Sequence, residues 1–367
     1  MLRLHLIMST IYLALASPEY KPQSVINIAH RGSSGMLPEH TVAAYERAVV
    51  DGADFIECDI CITKDLQLVC RHESLLDFTT DVTARSDEFH DKLNEYTIWG
   101  EVKRGYFTVD FTLEELKRLS AIQRVPFRDQ TQNGKYEIPT LGEFIAVAKA
   151  NGVGIYPEIK DASWVNSLNL LPNGTRFEDL VLSELSKHGY IDSKSNCILQ
   201  SFEEETLMYV KERVQSQLPL VLLFKTERSD ADLLRYASQG FYGVGCLKEL
   251  IIKTTGEEIR WISEITNFVE RCHDLQLKVH VFTFRNEDIF LTYDYEMDPQ
   301  QEYHRFIELG IDGLFTDFPA TLNFYLNRHD VIHNVNCSNY GISNVTLLPH
   351  VIILQLIICI FIAKWLL

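Results

Sequence analysis

The feature that most constrains this fold is a regular alternation of short β-branched runs with longer amphipathic stretches, which begins at Val25. Such an alternation indicates a parallel sheet with helices packed outside it. The predicted strands are 25–30, 54–60, 66–71, 153–159, 196–201, 219–224, 241–245, 277–284 and 311–316, and the predicted helices include 39–51, 140–150, 176–188, 203–214, 257–274 and 300–309.

Nine strands are one too many for an eight-stranded barrel, and the spacing identifies the extra one. Only residues 61–65 separate the second predicted strand from the third. Parallel neighbours need a crossover of about a dozen residues, so this pair is predicted to form a hairpin. The remaining eight strands predict a TIM (β/α)₈ barrel, whose catalytic residues lie at the carboxyl ends of the strands. A doubly wound open sheet is the alternative, but no glycine-rich phosphate loop follows the first strand.

One long stretch, at about 73–138, interrupts the alternation. It is rich in charged and aromatic residues and too long for a structureless loop in a compact domain. We predict an insertion over the barrel mouth, with a short helix at 112–119 where Thr112 and Glu115 have capping-box spacing. The barrel domain is expected to cover 25–328, with a polar linker at 329–346.

Both ends of the chain carry apolar segments typical of secreted proteins. Residues 1–16 have the basic start, apolar stretch and small-residue end of a signal peptide. Residues 347–367 are predicted to be a lipid-anchor attachment signal, with a transmembrane helix as the alternative. Glycosylation sequons at Asn173, Asn336 and Asn344 fit this interpretation. We therefore expect a protein outside the cell or on its surface, attached to the membrane through its tail.

Charge and cysteine content limit the class of ligand. A formal net charge of −17 argues against non-specific binding to nucleic acid. It does not exclude an anionic substrate, because a bound divalent cation can reverse the local field. Cys58 and Cys61 lack a second Cys or His pair at zinc spacing, so they are expected to be apolar filler or disulfide partners.

The candidate catalytic groups follow the ends of predicted strands. His30 and Arg31 end the first strand, placing a proton-transfer group beside a cation suited to phosphate. Glu57 and Asp59, at positions i and i+2 of the second strand, point to the same side. The return strand of the hairpin brings His72 to the same end.

A third carboxylate, Glu158, comes with Lys160 at the end of strand 153–159, again in i, i+2 spacing. Three convergent carboxylates without a cation would be costly through repulsion and desolvation. An all-oxygen ligand set indicates one divalent cation, Ca²⁺ or Mg²⁺, rather than zinc.

Two further residues are candidates for substrate contact. Gln200 stands at a strand end and is predicted to hydrogen-bond the substrate, with a barrel-rim amide as the alternative. Phe284, with Phe282, could wall the side that binds the alcohol, although aromatic residues in a late strand are more often core.

Taken in order, these motifs resemble the glycerophosphodiester phosphodiesterase family, in particular its secreted and periplasmic branch, over about 25–328. Two departures are mild: cysteines stand at 58, 61 and 70, and the turn at 64–67 lacks the usual glycine. The segments that carry the resemblance are His30-Arg-Gly-Ser-Ser-Gly, Leu37-Pro-Glu-His-Thr41, Gly52-Ala-Asp-Phe-Ile-Glu-Cys-Asp59, Arg71-His-Glu73, Ile138-Pro-Thr-Leu141, Gly154-Ile-Tyr-Pro-Glu-Ile-Lys160, Gln200-Ser-Phe202, Val279-His-Val-Phe-Thr-Phe-Arg285 and Asp312-Gly-Leu-Phe-Thr-Asp-Phe-Pro319.

The resemblance implies a function for each of these groups. His30 and His72 would be the acid/base pair, and Glu57, Asp59 and Glu158 the metal ligands. Arg31 and Lys160 would hold the phosphate. The expected reaction is hydrolysis of a small-molecule glycerophosphodiester to glycerol 3-phosphate and an alcohol, with either water or the glycerol hydroxyl as nucleophile.

Two other functions remain open on the same barrel. One is a phosphodiesterase that acts on a lipid, of the lysophospholipase D or phosphoinositide phospholipase C type. The other is a non-catalytic surface protein, although no histidine or carboxylate of the set is missing.

Overall fold

Eight parallel strands close into a barrel in the computed structural model, which describes residues 25–191, 196–214, 218–256 and 259–327. The predicted signal peptide, linker and tail, with Asn336 and Asn344, lie outside these residues. Within the described ranges, no helix combines the length and the apolarity needed to cross a bilayer. Residues from Leu326 onward belong to a second unit, of which only Leu326 and Asn327 are described.

The barrel consists of β1, β2, β6, β7, β8, β9, β12 and β13, neighbours in that order. β1 pairs in parallel with both β13 and β2, which closes the ring. The predicted TIM barrel is therefore confirmed. The described strands are β1 Ile26–Ala29, β2 Phe55–Ile62, β3 Leu68–Cys70, β4 Leu93–Ile98, β5 Glu101–Tyr106, β6 Gly154–Ile159, β7 Leu199–Ser201, β8 Leu220–Phe224, β9 Gly243–Leu247, β10 Ile252–Thr255, β11 Trp261–Ile265, β12 Lys278–Phe284 and β13 Gly313–Thr316.

Helices surround the ring, as the alternating pattern predicts. Their capping is local: Thr140 and Glu143, for example, form a reciprocal capping box at the start of α3. The described helices are α1 Val42–Val50, α2 Leu113–Leu116, α3 Leu141–Asn151, α4 Ala162–Ser167, α5 Phe177–Lys187, α6 Glu204–Arg213, α7 Asp230–Ser238, α8 Phe268–Asp274, α9 Pro299–Glu308 and α10 319–327.

The hairpins agree only in part with the sequence prediction. β2 and β3 pair antiparallel, as the short spacing predicts. Two further hairpins, β4–β5 and β10–β11, were not predicted. The helix predicted at 257–274 is wrong in its first part, because β11 occupies 261–265 and α8 begins only at Phe268.

The insertion after β3 folds around an apolar cluster of its own. The short helix predicted at 112–119 is α2, which ends earlier, at Leu116; its N-cap is Thr112, whose side chain and that of Glu115 cap each other's backbone N–H. The cluster joins the insertion to β2 and β3, so the insertion is packed against the barrel and does not hang from it as a loop. Its members are Cys61, Val69, Leu76, Val82, Phe89, Tyr106, Phe111, Leu116, Leu119 and Ile138.

Candidate active site

The site begins with a row of side chains at one level of three adjacent barrel strands. Asp59 on β2 is in register with Glu158 on β6, and Glu158 with Gln200 on β7. Residues in register on parallel strands point to the same side, and Glu57 lies two positions before Asp59. The ladder therefore brings all three predicted metal ligands together at the mouth end of the barrel.

His30 follows β1 and is held by two partners. Its Nδ1 lies 2.6 Å from Oδ1 of Asp317, and its Nε2 lies 3.2 Å from Nε of Arg31. A carboxylate accepts and a guanidinium donates, so these partners assign the proton to Nδ1 and a lone pair to Nε2. Burial, together with the charge of Arg31, lowers the pKa of His30 to about 4, while Asp317 opposes this shift. His30 is thus a neutral base.

Arg31 is fixed by the segment that precedes α1. Its Nη1 donates to both carboxylate oxygens of Glu39, at 3.0 and 3.1 Å, and its backbone N–H donates to Oε2 of Glu57 at 2.6 Å. Against the effect of burial, Arg31 lowers the pKa of Glu39 to about 2. The cation next to His30 is therefore held in place before any phosphate arrives.

His40 has a similar orienting role toward Asp59. Its Nε2 donates to Oδ2 of Asp59 at 2.9 Å, and its Nδ1 lies 2.8 Å from the hydroxyl of Tyr45. Candidate ligand atoms of His40, Glu57 and Asp59 lie within 4.8 Å of one another. Because both ring nitrogens of His40 already have partners, we assign it to the orientation of Asp59 rather than to metal coordination.

His72 faces the same cavity from the hairpin. Its Nδ1 lies 3.0 Å from Oε1 of Glu73 and 3.4 Å from Nη1 of Arg124. Burial and the charge of Arg31 lower the pKa of His72 well below its usual value. The two predicted catalytic histidines are therefore both neutral at pH 7 and lie on the same cavity.

The electrostatics of the carboxylates fit a bound cation. Nζ of Lys160 lies 2.8 Å from Glu158 and 3.3 Å from Asp59, and these two carboxylates are buried together with Glu57. Burial and the negative charge of Asp59 raise the pKa of Glu158 to about 8 and that of Glu57 well above its usual value. Arg31 lies 3.8 Å from Asp59 but is already paired with Glu39. It and Lys160 therefore do not compensate three buried carboxylates, whereas a hard divalent cation on oxygen ligands would do so.

A cavity of about 700 Å³ lies over this row. Phe284 is absent from its wall: the ring is fully buried against Tyr303 and Phe306, whereas Phe282 lines the cavity. The placement predicted for Phe284 is therefore wrong. Oε1 of Gln200 is buried and accepts no hydrogen bond from the described residues. The other predicted site residues all line the cavity, namely His30, Arg31, Glu57, Asp59, His72, Glu158, Lys160 and Gln200.

Sequence reasoning missed three residues that hold the histidines. Asp317, directly after β13, holds His30. It also accepts hydrogen bonds from Nη2 of Arg128 at 2.7 Å and from Nε of Arg285 at 2.9 Å. Arg128 and Arg124 come from the insertion, so this segment touches the partners of both histidines. The position of Asp317 at a strand end was a usable signal; the two arginines had none.

Comparison with known proteins agrees with this geometry. Residues 30–321 match the Glycerophosphoryl diester phosphodiesterase family. A glycerophosphodiester phosphodiesterase of Arabidopsis thaliana is 41% identical over 320 residues, which cover 82% of this chain and 85% of the relative. One from Haemophilus influenzae is 29% identical, over 84% of this chain and 91% of the relative.

Solved structures share the fold. An Oleispira antarctica phosphodiesterase, in complex with the product sn-glycerol-3-phosphate, superposes with a TM-score of 0.57 at 20% identity and covers 82% of this chain and 96% of its own. A Silicibacter pomeroyi protein described as a glycerophosphoryl diester phosphodiesterase gives a TM-score of 0.59 at 18% identity, over 84% and 95% of the two chains.

Proposed function

Because the chain belongs to the glycerophosphoryl diester phosphodiesterase family, we propose that it hydrolyses glycerophosphodiesters to sn-glycerol 3-phosphate and an alcohol. The observation that carries this proposal is the convergence of Glu57, Asp59 and Glu158 between His30 and His72 on one cavity. Carboxylates to bind a cation, cations to bind phosphate and two imidazoles to move protons are what cleavage of a phosphodiester requires.

A divalent cation, Ca²⁺ or Mg²⁺, would be held by Glu57, Asp59 and Glu158. It would supply Lewis-acid polarisation of a phosphate oxygen. The choice of a hard cation is supported by the all-carboxylate set and by the buried excess of negative charge around Lys160.

The protein's own residues would carry the proton transfers. His30 presents a lone pair at Nε2 while Asp317 holds Nδ1–H, which suits it to accept the proton of the nucleophile. The negative charge of a bound phosphodiester would favour the imidazolium form of His72, which takes its proton from solvent and would give it to the leaving alkoxide. Arg31 and Lys160 would bind phosphate oxygens, and Gln200 would use its unpartnered Oε1 on a substrate hydroxyl.

The proposal is tested by turnover of glycerophosphoglycerol with Ca²⁺ or Mg²⁺, compared with chelated protein and with a His30→Ala variant. We expect turnover only in the metal-loaded wild type. Equal rates in the three preparations would contradict the proposed activity. Titration with Ca²⁺ and with Mg²⁺ would show which ion supports the higher rate.

We further propose a secretory location with membrane attachment through the tail. Two described features support it: Cys58 and Cys70 form a disulfide, which is typical of an oxidising compartment, and the sequon residue Asn173 is exposed. Attachment would suit a lipid substrate as the second candidate function. A parallel assay of glycerophosphocholine and lysophosphatidylcholine separates the two, and release by a phosphoinositide-cleaving lipase tests the anchor.

A further inference from the structure

The cavity continues beyond the predicted catalytic, metal-binding and phosphate-binding residues to a second group of cations. We call the first group the catalytic row; its members are His30, Arg31, Glu57, Asp59, His72, Glu158 and Lys160. Lys225 and Arg228 follow β8, Arg260 precedes β11, and Lys103 lies on β5 of the insertion. All four line the same cavity as the histidines. We call these four residues the outer rim.

The outer rim lacks the carboxylate partners that the inner cations have. Arg31 and Lys160 each contact two carboxylates, whereas no carboxylate of the described residues forms an ion pair with any member of the outer rim. In a chain with 51 acidic and 34 basic residues, four cations on one cavity without a carboxylate partner among the described residues are not expected from composition.

The contacts of the outer rim leave its charge available. Nζ of Lys225 lies over the ring of Phe202, and Arg228 stacks on Phe224. Nε of Arg228 is buried without a hydrogen-bond partner among the described residues, and Nη2 of Arg260 donates to the backbone oxygen of Ile289. A buried donor without an acceptor costs free energy unless a ligand supplies the acceptor.

Carboxylates at the mouth do not cancel this charge. Glu73 faces His72 and Arg124, Asp161 accepts from the indole of Trp99, and Glu203 accepts from the backbone of Ser163. Asp161 and Glu203 keep their negative charge because their partners are neutral donors, so with Glu249 three carboxylates of the described residues line this part of the cavity. Against the four cations of the outer rim they leave a net positive charge.

The barrel order places the outer rim opposite the first histidine. β8 is four strands from β1 in either direction around the ring. Phe202 bridges the two regions, because Lys160 lies 5.6 Å and Lys225 5.2 Å from its ring centroid. The part of a substrate that extends from the histidines across the barrel mouth therefore reaches the outer rim.

We propose that the outer rim is a second anion subsite and that it binds a phosphate carried by the alcohol. This inference rests on the proposed function and adds the substrate class: glycerophosphodiesters of phosphorylated alcohols, in preference to those of choline. A quaternary ammonium at this position would meet like charges, and the two adjacent rings, Phe202 and Phe224, already carry Lys225 and Arg228.

The test is the dependence of kcat/KM on the charge of the alcohol. Three substrates serve as probes: glycerophosphoinositol 4-phosphate, neutral glycerophosphoglycerol and cationic glycerophosphocholine. At low salt we expect the phosphorylated diester to exceed the choline diester by about tenfold or more. The preference should shrink in about 0.5 M NaCl, because the Debye length falls to a few Å.

Variants connect the preference to the outer rim. Lys225→Ala with Arg228→Ala should reduce the preference about tenfold and leave turnover of glycerophosphoglycerol within about twofold. Lys225→Glu, at an exposed position that folding does not depend on, should lower it further. Lys187→Ala with Arg213→Ala, on the outer helices α5 and α6, is the matched control and should change nothing.

The outcomes separate this inference from its premise. Absence of turnover for every diester would overturn the proposed function and the subsite with it. Turnover of glycerophosphoglycerol with equal or higher kcat/KM for the choline diester would overturn the subsite alone, as would an unchanged preference in Lys225→Glu.

Discussion

The catalytic row and the outer rim use similar side chains in different ways. In the catalytic row each cation is already held by carboxylates, with Arg31 on Glu39 and Lys160 between Glu158 and Asp59. Its members stand on barrel strands or directly after them, except His72, which follows the hairpin strand β3. In the outer rim Lys225 also directly follows a barrel strand, but none of its four cations has a carboxylate partner in the described part of the chain.

This difference indicates a division between chemistry and selectivity. Cations paired with carboxylates are held rigidly, which catalysis needs because small displacements cost large factors in rate. Cations at the mouth without carboxylate partners can be exchanged without breaking an ion pair of the catalytic row. The comparison predicts that changes in the catalytic row lower kcat and that changes at the mouth alter KM and substrate preference.

The largest effect is expected from His72→Ala. Loss of a positioned proton-transfer group lowers kcat by about 10²–10⁴-fold. Steady-state kinetics on glycerophosphoglycerol measures it, with His90→Ala, at an exposed site in the insertion, as the control. A kcat within a few-fold of the wild-type value would exclude His72 from the chemical step. It would also contradict the assignment of catalysis to the catalytic row.

The next effect concerns the disulfide under the catalytic row. Cys58 lies between Glu57 and Asp59, and Cys70 precedes Arg71 and His72, with a sequence separation of 12. Closing a loop of this size stabilises the fold by about 3 kcal/mol. Cys58→Ser with Cys70→Ser should lower the free energy of unfolding in urea by about this amount.

Activity of the folded disulfide variant should change little. The backbone N–H of Arg71 still donates to Asp59, and the β2–β3 ladder still positions the hairpin. Adding a reductant to the wild type should reproduce the loss of stability, and the variant should be insensitive to it. A large loss of kcat at full folding would show that the ladder alone does not hold His72.

The third prediction is a fall in kcat of about 10–100-fold for Asp317→Asn, with KM nearly unchanged, because His30 loses the partner that fixes its ring. Asp317 also opposes the lowering of the pKa of His30, so its loss lowers this pKa further. If His30 accepts a proton, the acidic limb of the kcat/KM profile then moves to lower pH.

Glu287→Gln is the control for Asp317→Asn. Glu287 accepts a hydrogen bond from Nε of Arg128 at 2.6 Å, and Asp317 accepts one from Nη2 of the same arginine. Unlike Asp317, Glu287 forms no hydrogen bond with His30. The control should keep both kcat and the pH profile. Equal losses in the two variants would assign the effect to Arg128 and the insertion instead of to His30.

Features that depend on residues close together in the sequence could be predicted, whereas contacts between distant residues could not. The barrel strands are buried and β-branched, and the five residues between β2 and β3 fix the hairpin, so the ring could be predicted. The catalytic row could be predicted because i, i+2 spacing on a strand sets its direction. The arginines of the insertion could not, since Arg128 meets Asp317 across 189 positions of the sequence.

The two missed hairpins share a physical reason. β4 and β5 are mostly exposed on both faces, so they show no apolar alternation, and β11 is likewise exposed. The turn between β4 and β5 is Trp99-Gly100 with both φ angles positive, at 55° and 79°. A two-residue turn of this type is usually signalled by Asn-Gly or Asp-Gly, and tryptophan at its first position gives no such signal.

The smallest effect is expected at this turn, from Trp99→Phe. Nε1 of Trp99 donates to Oδ1 of Asp161 at 2.6 Å, which ties the hairpin to the residue after Lys160. Phenylalanine keeps the ring but loses the donor, and the loss of one exposed hydrogen bond should raise KM by about two- to fivefold and leave kcat unchanged. Val102→Ala, exposed on the same hairpin, is the control and should leave both constants unchanged. A fall in kcat as large as that of Asp317→Asn would mean that residues at the mouth also position the reacting groups. The catalytic row and the mouth would then not divide chemistry and substrate selectivity between them where the insertion contacts the end of β6.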